Sequence, residues 1–89
     1  MKNFNDERNK IKETDIYLYY ALEIGGTVKA ARHRKGFSQK RLSEMTGVSK
    51  MTVLRIENGD NLPNIDTLVK LMNALDLELQ LTTQQKEEV

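Results

Sequence analysis

The chain has 89 residues, with 14 basic and 13 acidic side chains, no cysteine and no tryptophan. This length suits one small domain and excludes a multidomain enzyme. Without cysteine there is no disulfide framework or thiolate metal site, and a hydrophobic fraction of 38% argues against a membrane span. Because a chain of this size buries only about 60–65% of its unfolded surface, we expect a modest core supplemented by dimerisation, in a cytoplasmic protein.

The charges are segregated along the chain. Residues 1–28 hold 4 basic and 5 acidic side chains, residues 29–55 hold 8 and 1, and residues 56–89 hold 2 and 7. The middle block therefore has a net charge of +7 between two acidic segments. Such a block is typical of a surface that meets a polyanion, although a solvated helical surface gives the same pattern.

The first 20 residues are predicted to be a polar N-terminal arm. In residues 1–14 the apolar side chains are too few and too scattered to be buried, so we expect no regular structure there. Residues 16–20, IYLYY, are rich in β-branched and aromatic side chains. They predict either a short strand or the lead-in to a helix, since the run is too short for its periodicity to decide.

Residues 21–76 are predicted to form one helical domain. Apolar side chains at helical spacing, followed by Gly36 as a C-cap, predict a first helix over 22–35. Capping hydroxyls at Ser38 and Ser49 predict helices over 38–46 and 49–58, with Gly47 in the turn between them. Leu42 and Met45 are expected to face inward from the second helix.

A fourth helix and a strand are predicted to complete the chain. The helix covers 65–75, with an inward stripe of Ile65, Leu68, Val69, Met72 and Leu75. Residues 77–89 are predicted to be a dimerisation strand and a charged tail, because Leu77, Leu79 and Leu81 alternate with polar residues. A lone strand leaves its edges unpaired, so we expect it to pair with the same strand of a second subunit.

Two short helices joined by a glycine-containing turn form a helix-turn-helix. The segment 37–58, FSQKRLSEMTGVSKMTVLRIEN, resembles that of the Cro/lambda-repressor (XRE) family, and the resemblance extends over 22–76. It implies a mainly α, four- to five-helix, lambda-repressor-like DNA-binding domain.

The chemistry of the residues indicates which of them would meet DNA. At the start of the third helix, Lys50 can donate to guanine, Met51 can pack on a thymine methyl, and Arg55 can reach a base or phosphate from the next turn, with Thr52 as a further base contact. Phosphate contacts are expected from Gln39, Ser49, Lys40, Arg34 and Asn58. In the family the residue matching Gln39 binds phosphate, and a helix N-terminus would reinforce this.

The resemblance gives Arg32 and Glu57 a different role. The matching positions in lambda-type repressors form a buried ion pair, so these two residues are expected to be structural. His33 has no second histidine or cysteine to share a metal with, and no catalytic triad, phosphate loop or metal-spaced cluster occurs. We therefore expect no cofactor, no metal and no enzymatic activity.

The segment LDLELQLTT, residues 75–83, resembles the ending of the HipB-type antitoxins. This implies a bacterial homodimer that binds a palindromic operator, represses its own operon at the nucleoid, and binds a HipA-like Ser/Thr kinase toxin. The alternatives are a solitary or phage-type XRE regulator without a toxin partner, and a helical interaction module that has lost DNA binding.

Overall fold

The computed structural model describes residues 4–82, with side chains from residue 9 onward. This part of the chain is mainly α, as predicted, and contains five helices. They are α1 (Phe4–Thr14), α2 (Ile16–Lys35), α3 (Gln39–Thr46), α4 (Lys50–Glu57) and α5 (Ile65–Ala74).

Short polar side chains set where four of these helices begin. Each accepts a hydrogen bond from the backbone N–H three residues further along, at 2.8–3.1 Å; they are Asp15, Ser38, Ser49 and Asn64. Gly36 and Gly47 end α2 and α3 in the left-handed region, with φ of 72° and 77°. The bounds predicted for the last three helices are therefore confirmed to within one residue, since caps and glycines are visible in the sequence.

The expectation of an N-terminal arm without regular structure is wrong for residues 4–14. Residues 4–14 form α1, and α2 begins at Ile16 rather than at 22. The two helices are separated at Asp15, whose carboxylate caps α2 by accepting from the Leu18 N–H at 3.0 Å. The segment IYLYY is thus the first part of α2. Lys12 of α1 lies over the Tyr19 ring, 5.2 Å from its centroid.

The core lies where α4 packs against α2 and α3, and α3 against α5. Its buried apolar side chains are Val28, Ala31, Leu42, Val48, Val53, Ile56, Leu71 and Leu75. Two expectations for the core are wrong. Met45 is exposed, and α5 turns Leu71 inward while Ile65 and Val69 remain 66% and 56% exposed. An apolar stripe wider than the buried face does not show which of its edges meets the core.

Helices α2 and α4 approach each other closely at Gly25, in the middle of α2. A Cβ atom at this position would lie 2.2 Å from the carbonyl oxygen of Ile56, whereas one at Gly26 would meet nothing within 4 Å. Gly25 therefore allows the backbone of α2 to touch the last turn of α4.

Residues 77–82 form no helix or strand in the single chain. Leu77 packs against the core, while Leu79 and Leu81 are 58% and 82% exposed. The predicted charged tail lies outside the described residues from 83 onward. Over residues 4–82, no helix combines the length and apolar character needed to cross a membrane.

Candidate nucleic-acid interface

Helix α4 has one face in the core and another open to solvent. Val53 and Ile56 are fully buried, whereas Lys50 and Arg55 are exposed and Met51 is 54% exposed. Met51 and Arg55 are four residues apart and so share one side of the helix. The structure thus brings three of the four expected base-contacting side chains to an open surface, beginning at the first turn of α4.

The fourth expected base contact, Thr52, is tied to the cap of the helix. Ser49 accepts from the Thr52 N–H at 3.1 Å and donates its hydroxyl proton to Thr52 Oγ1 at 2.8 Å. Both Ser49 and Thr52 are therefore fixed by local hydrogen bonds, and Thr52 is only half-exposed. These two hydrogen bonds cap the first turn of α4.

Arg32 and Glu57 form a bidentate ion pair that joins α2 to the end of α4. Arg32 Nε donates to Glu57 Oε2 at 2.7 Å and Arg32 Nη2 to Glu57 Oε1 at 2.9 Å. The side chains are 9% and 1% exposed. Arg32 Nη1 also donates to the carbonyl oxygen of Phe37 at 2.8 Å. The pair therefore fixes the ends of two helices and the start of the loop before α3.

Gln39, the first residue of α3, joins the same network. Its Nε2 donates to Glu57 Oε1 at 3.2 Å. An amide nitrogen carries two hydrogens, so this bond leaves one for another acceptor. One carboxylate thus connects α2, α3 and α4.

This network shifts the ionisation of both partners. Burial of the Glu57 carboxyl opposes its ionisation, but the hydrogen bonds from Arg32 and Gln39, with the charges of Arg32 and Lys29, lower the pKa of Glu57 below its ordinary value. Hydrogen bonding to Glu57 raises the pKa of Arg32. The two side chains therefore stay charged at neutral pH.

The remaining expected phosphate contacts lie on the surface around α3 and α4. Lys40, Arg34 and Asn58 are exposed, and Asn58 caps the end of α4. Of the eight cations in the 29–55 block, only Arg32 and Lys35 form ion pairs with side chains of residues 9–82; Lys35 pairs with Asp76 beyond α5. The other six cations are Lys29, Arg34, Lys40, Arg41, Lys50 and Arg55, and all of them are exposed.

Two features of the site were not predicted. The bond from Gln39 to Glu57 joins residues 18 positions apart, and no local pattern in the sequence indicates it. The sequence does contain a signal for Gly25, because a glycine inside a helix often marks a close approach of backbones.

His33, the one histidine of the sequence, is exposed, with Nε2 3.4 Å from Arg32 Nη2. Among the side chains of residues 9–82, no group of three or more potential metal ligands occurs.

Comparisons with known proteins agree with this geometry. A family model described as helix-turn-helix matches residues 28–81. The chain is 38% identical over 53 residues to an uncharacterized HTH-type transcriptional regulator, YgzD, of Bacillus subtilis, a match that covers 60% of this chain and 80% of the relative. It is 32% identical over 78 residues to an uncharacterized HTH-type transcriptional regulator of Haemophilus influenzae, covering 88% and 74%.

Among solved structures, the chain is similar to one described as a toxin-antitoxin module from Streptococcus pneumoniae. The TM-score is 0.65 at 32% sequence identity, and the match covers 94% of this chain and 96% of that one. A match of this extent includes most of the segment before residue 28, which the family model does not cover.

Proposed function

We propose a function from one premise, which is that the chain belongs to the XRE-type helix-turn-helix family of transcriptional regulators. The chain is a dimeric, sequence-specific repressor that binds double-stranded DNA. It is the antitoxin of a toxin-antitoxin module, represses its own operon and binds the toxin.

The observation that carries DNA binding is the open face of α4 within a cationic surface. Lys50, Met51 and Arg55 project from the first two turns of α4, where a recognition helix meets base edges. Gln39 supports the docking, because its Nε2 is held by Glu57 at the N-terminus of α3 and a helix N-terminus favours a phosphate. Base contacts are assigned to Lys50, Met51, Thr52 and Arg55, and phosphate contacts to Gln39, Ser49, Lys40, Arg34 and Asn58.

Dimerisation is assigned to the leucines after α5. Leu79 and Leu81 are largely exposed in the single chain, which is unfavourable unless another surface covers them. Pairing of residues 77–82 with the same segment of a second subunit buries both leucines and supplies partners for the backbone. The dimer places two copies of α4 in successive major grooves, about 34 Å apart, on a palindromic operator.

The salt dependence of operator binding tests the docking model. If each subunit neutralises about four to five phosphates, the slope of log K against log salt is about −7 to −9. The measurement is a titration of labelled upstream DNA from the chain's own operon by fluorescence anisotropy, at several salt concentrations. A scrambled duplex of equal length is the control. A shallow slope, or equal affinity for both duplexes, contradicts the model.

The likeness to a toxin-antitoxin module supports the antitoxin role, and the resemblance of the C-terminal segment to HipB-type antitoxins assigns the toxin to the HipA-like Ser/Thr kinases. The test is a nuclease-treated pull-down of the tagged chain from its native cells, with mass spectrometry of the eluate. A stoichiometric kinase-like protein is the expected result.

A second candidate is a solitary XRE regulator without a toxin. It is favoured by the relatives, which are named only as HTH-type transcriptional regulators. Recovery of the chain alone, at the mass of a dimer, would support this candidate and contradict the antitoxin role.

A further inference from the structure

We propose that the outward side of α5, which carries Ile65 and Val69, packs against the same side of α5 in a second copy of this chain. This rests on the proposed dimeric repressor. It goes beyond the pairing of residues 77–82, because it adds a helical contact to the dimer and names the residues that form it.

The outward side of α5 is apolar and uncovered. Ile65 and Val69 are 66% and 56% exposed, and they lie on one side of the helix because they are four residues apart. The charged side chains of α5 are Asp66 and Lys70, whose Oδ2 and Nζ atoms lie 3.1 Å apart. The helix therefore brings no net charge, and an identical helix can pack against it without repulsion.

Leu79 separates two grooves beside α5. One groove has a volume of about 400 Å³ and lies between α5 and the segment after it, with Val69, Met72 and Leu79 in its lining. The other, of about 210 Å³, lies between α2 and α5 and is also lined by Met72 and Leu79. A cavity of about 150 Å³ accommodates a benzene ring. Each groove therefore has room for an apolar side chain from outside.

The leucines of a second copy fit this surface. Leu77 faces α5, since it packs against the core and lines both grooves. Alternate residues of a strand share a face, and antiparallel pairing about an axis at Leu79 places the leucines of both strands on that face. Leu81 of the second copy then lies opposite Leu77, over α5. Each copy thus supplies both a ridge and a groove, which is the self-complementary surface that two-fold symmetry requires.

The leucines alone bury too little area for a stable dimer. An aliphatic side chain presents on the order of 100 Å², so Leu79 and Leu81, at 58% and 82% exposure, can bury about 140 Å² per subunit. A stable interface buries at least about 600 Å² per subunit, of which a little over half is apolar. Ile65 and Val69 nearly double the apolar area, to about 260 Å², and the grooves beside them add more.

The charge and composition of the other candidates favour a second copy. DNA is a polyanion, and the six exposed cations of the 29–55 block lie around α3 and α4, away from the outward side of α5. Residues 83–89, TQQKEEV, contain one large apolar side chain, which is too little to cover this side. A second copy brings a matching apolar surface.

A contact through α5 fixes the arrangement of the two recognition helices. Helix α5 packs against α3, and α3 packs against α4. The position of α5 beside the two-fold axis therefore sets the spacing and orientation of both copies of α4 through two packed contacts. A palindromic operator requires such a fixed spacing.

Two variants of Val69 with a matched control test the proposal. Val69→Glu and Val69→Lys each place like charges against each other in the dimer. Leu18→Glu introduces a carboxylate on α2, at a residue that is 39% exposed and on a different side of the helix from Ile24 and Thr27, which line the groove. It lies three residues after the cap Asp15, where glutamate is favourable. The dissociation constant of the full-length dimer is measured by sedimentation equilibrium.

We expect Val69→Glu and Val69→Lys each to raise the dissociation constant at least tenfold with an unchanged circular dichroism spectrum, and Leu18→Glu to change it less than twofold. An equimolar mixture of the two Val69 variants should recover the dimer, because their charges then attract across the axis. If both variants dimerise like the wild type, or if the folded variants remain monomers when mixed, α5 does not meet its own copy and the proposal is overturned.

Other outcomes separate this proposal from the dimer itself. If Leu79→Asp gives monomers and the Val69 variants do not, the pairing of residues 77–82 stands and only the α5 contact fails. If the wild type is a monomer, both fail, while DNA binding is judged by its own titration. If the Val69 variants keep the dimer but lose a protein that co-purifies with the wild type, the outward side of α5 binds that protein and the proposal is overturned.

Discussion

The approach of α2 to α4 at Gly25 predicts that Gly25→Ala destabilises the protein and Gly26→Ala does not. Both glycines lie in the middle of α2, so alanine improves helix propensity equally, by about 1 kcal/mol. They differ in their surroundings. A Cβ atom at Gly25 lies 2.2 Å from the Ile56 carbonyl oxygen and 3.1 Å from that of Glu57, while one at Gly26 meets open space.

The size of the effect follows from which atoms must move. The neighbours of Gly25 are backbone atoms, so relief requires α4 to retreat from α2 by about 1 Å, and overpacking of this kind typically costs about 1–3 kcal/mol. With the gain in propensity subtracted, Gly25→Ala should lose up to about 2 kcal/mol of unfolding free energy, whereas Gly26→Ala should gain about 1 kcal/mol. For a domain of this size a loss of about 2 kcal/mol corresponds to a melting temperature about 8–16 °C lower.

The assay is urea unfolding followed by circular dichroism, at one protein concentration because the chain is proposed to dimerise. The same displacement moves Glu57, so Gly25→Ala should also weaken operator binding under conditions where the variant is folded. If Gly25→Ala is as stable as Gly26→Ala, the close packing of α2 on α4 is not required and the reasoning is refuted.

Three further predictions concern the interface, the dimer and the buried ion pair. Lys50→Ala and Arg55→Ala should each reduce discrimination against single base changes by about 1–3 kcal/mol with an unchanged circular dichroism spectrum; loss of the spectrum would contradict their assignment to DNA. Leu79→Asp should shift the mass measured by light scattering toward the monomer and weaken operator binding, while an unchanged mass would exclude these leucines from the dimer. Glu57→Gln leaves Arg32 buried without its counter-charge and should lower the free energy of unfolding by about 3 kcal/mol at pH 7. The pKa of Glu57 is lowered in the folded chain, so its contribution to stability is present above the ordinary glutamate pKa and disappears as pH falls through the lowered value. The difference in unfolding free energy between the wild type and Glu57→Gln should therefore shrink below about pH 4.5. A difference that is independent of pH would count against the ionised pair.

Local signals in the sequence located most of the helix boundaries. Ser38 and Ser49 each cap a helix in the structure as predicted, because a cap depends only on residues within three positions of it. The exposed side of α4 could also be predicted from the sequence, because the apolar residues Val53 and Ile56 mark its buried side. The chemistry of Lys50 and Arg55 follows from residue type and needs no tertiary information.

The features that could not be predicted depend on contacts between distant residues. Helix α1 has few apolar side chains, and the structure gives it a partner in α2 that its composition does not reveal. The exposure of Met45 and Val69 and the burial of Leu71 depend on the angles at which α3 and α5 pack. The role of Gly25 likewise depends on the carbonyl of Ile56, 31 residues later in the chain.

The ion pair explains how a chain with a +7 block can form a rigid interface. Six cations of this block are exposed and available to phosphates, but Arg32 is buried and would be strongly unfavourable without an anion. Glu57 supplies that anion from just beyond the block, and the same carboxylate accepts from Gln39 at the start of α3. The helix that would read bases and the helix end that would bind phosphate are therefore positioned by one group. A variant that keeps the charge of Glu57 but shortens the side chain, Glu57→Asp, should retain part of the stability while disturbing the Gln39 contact, so that phosphate binding is lost before the fold is.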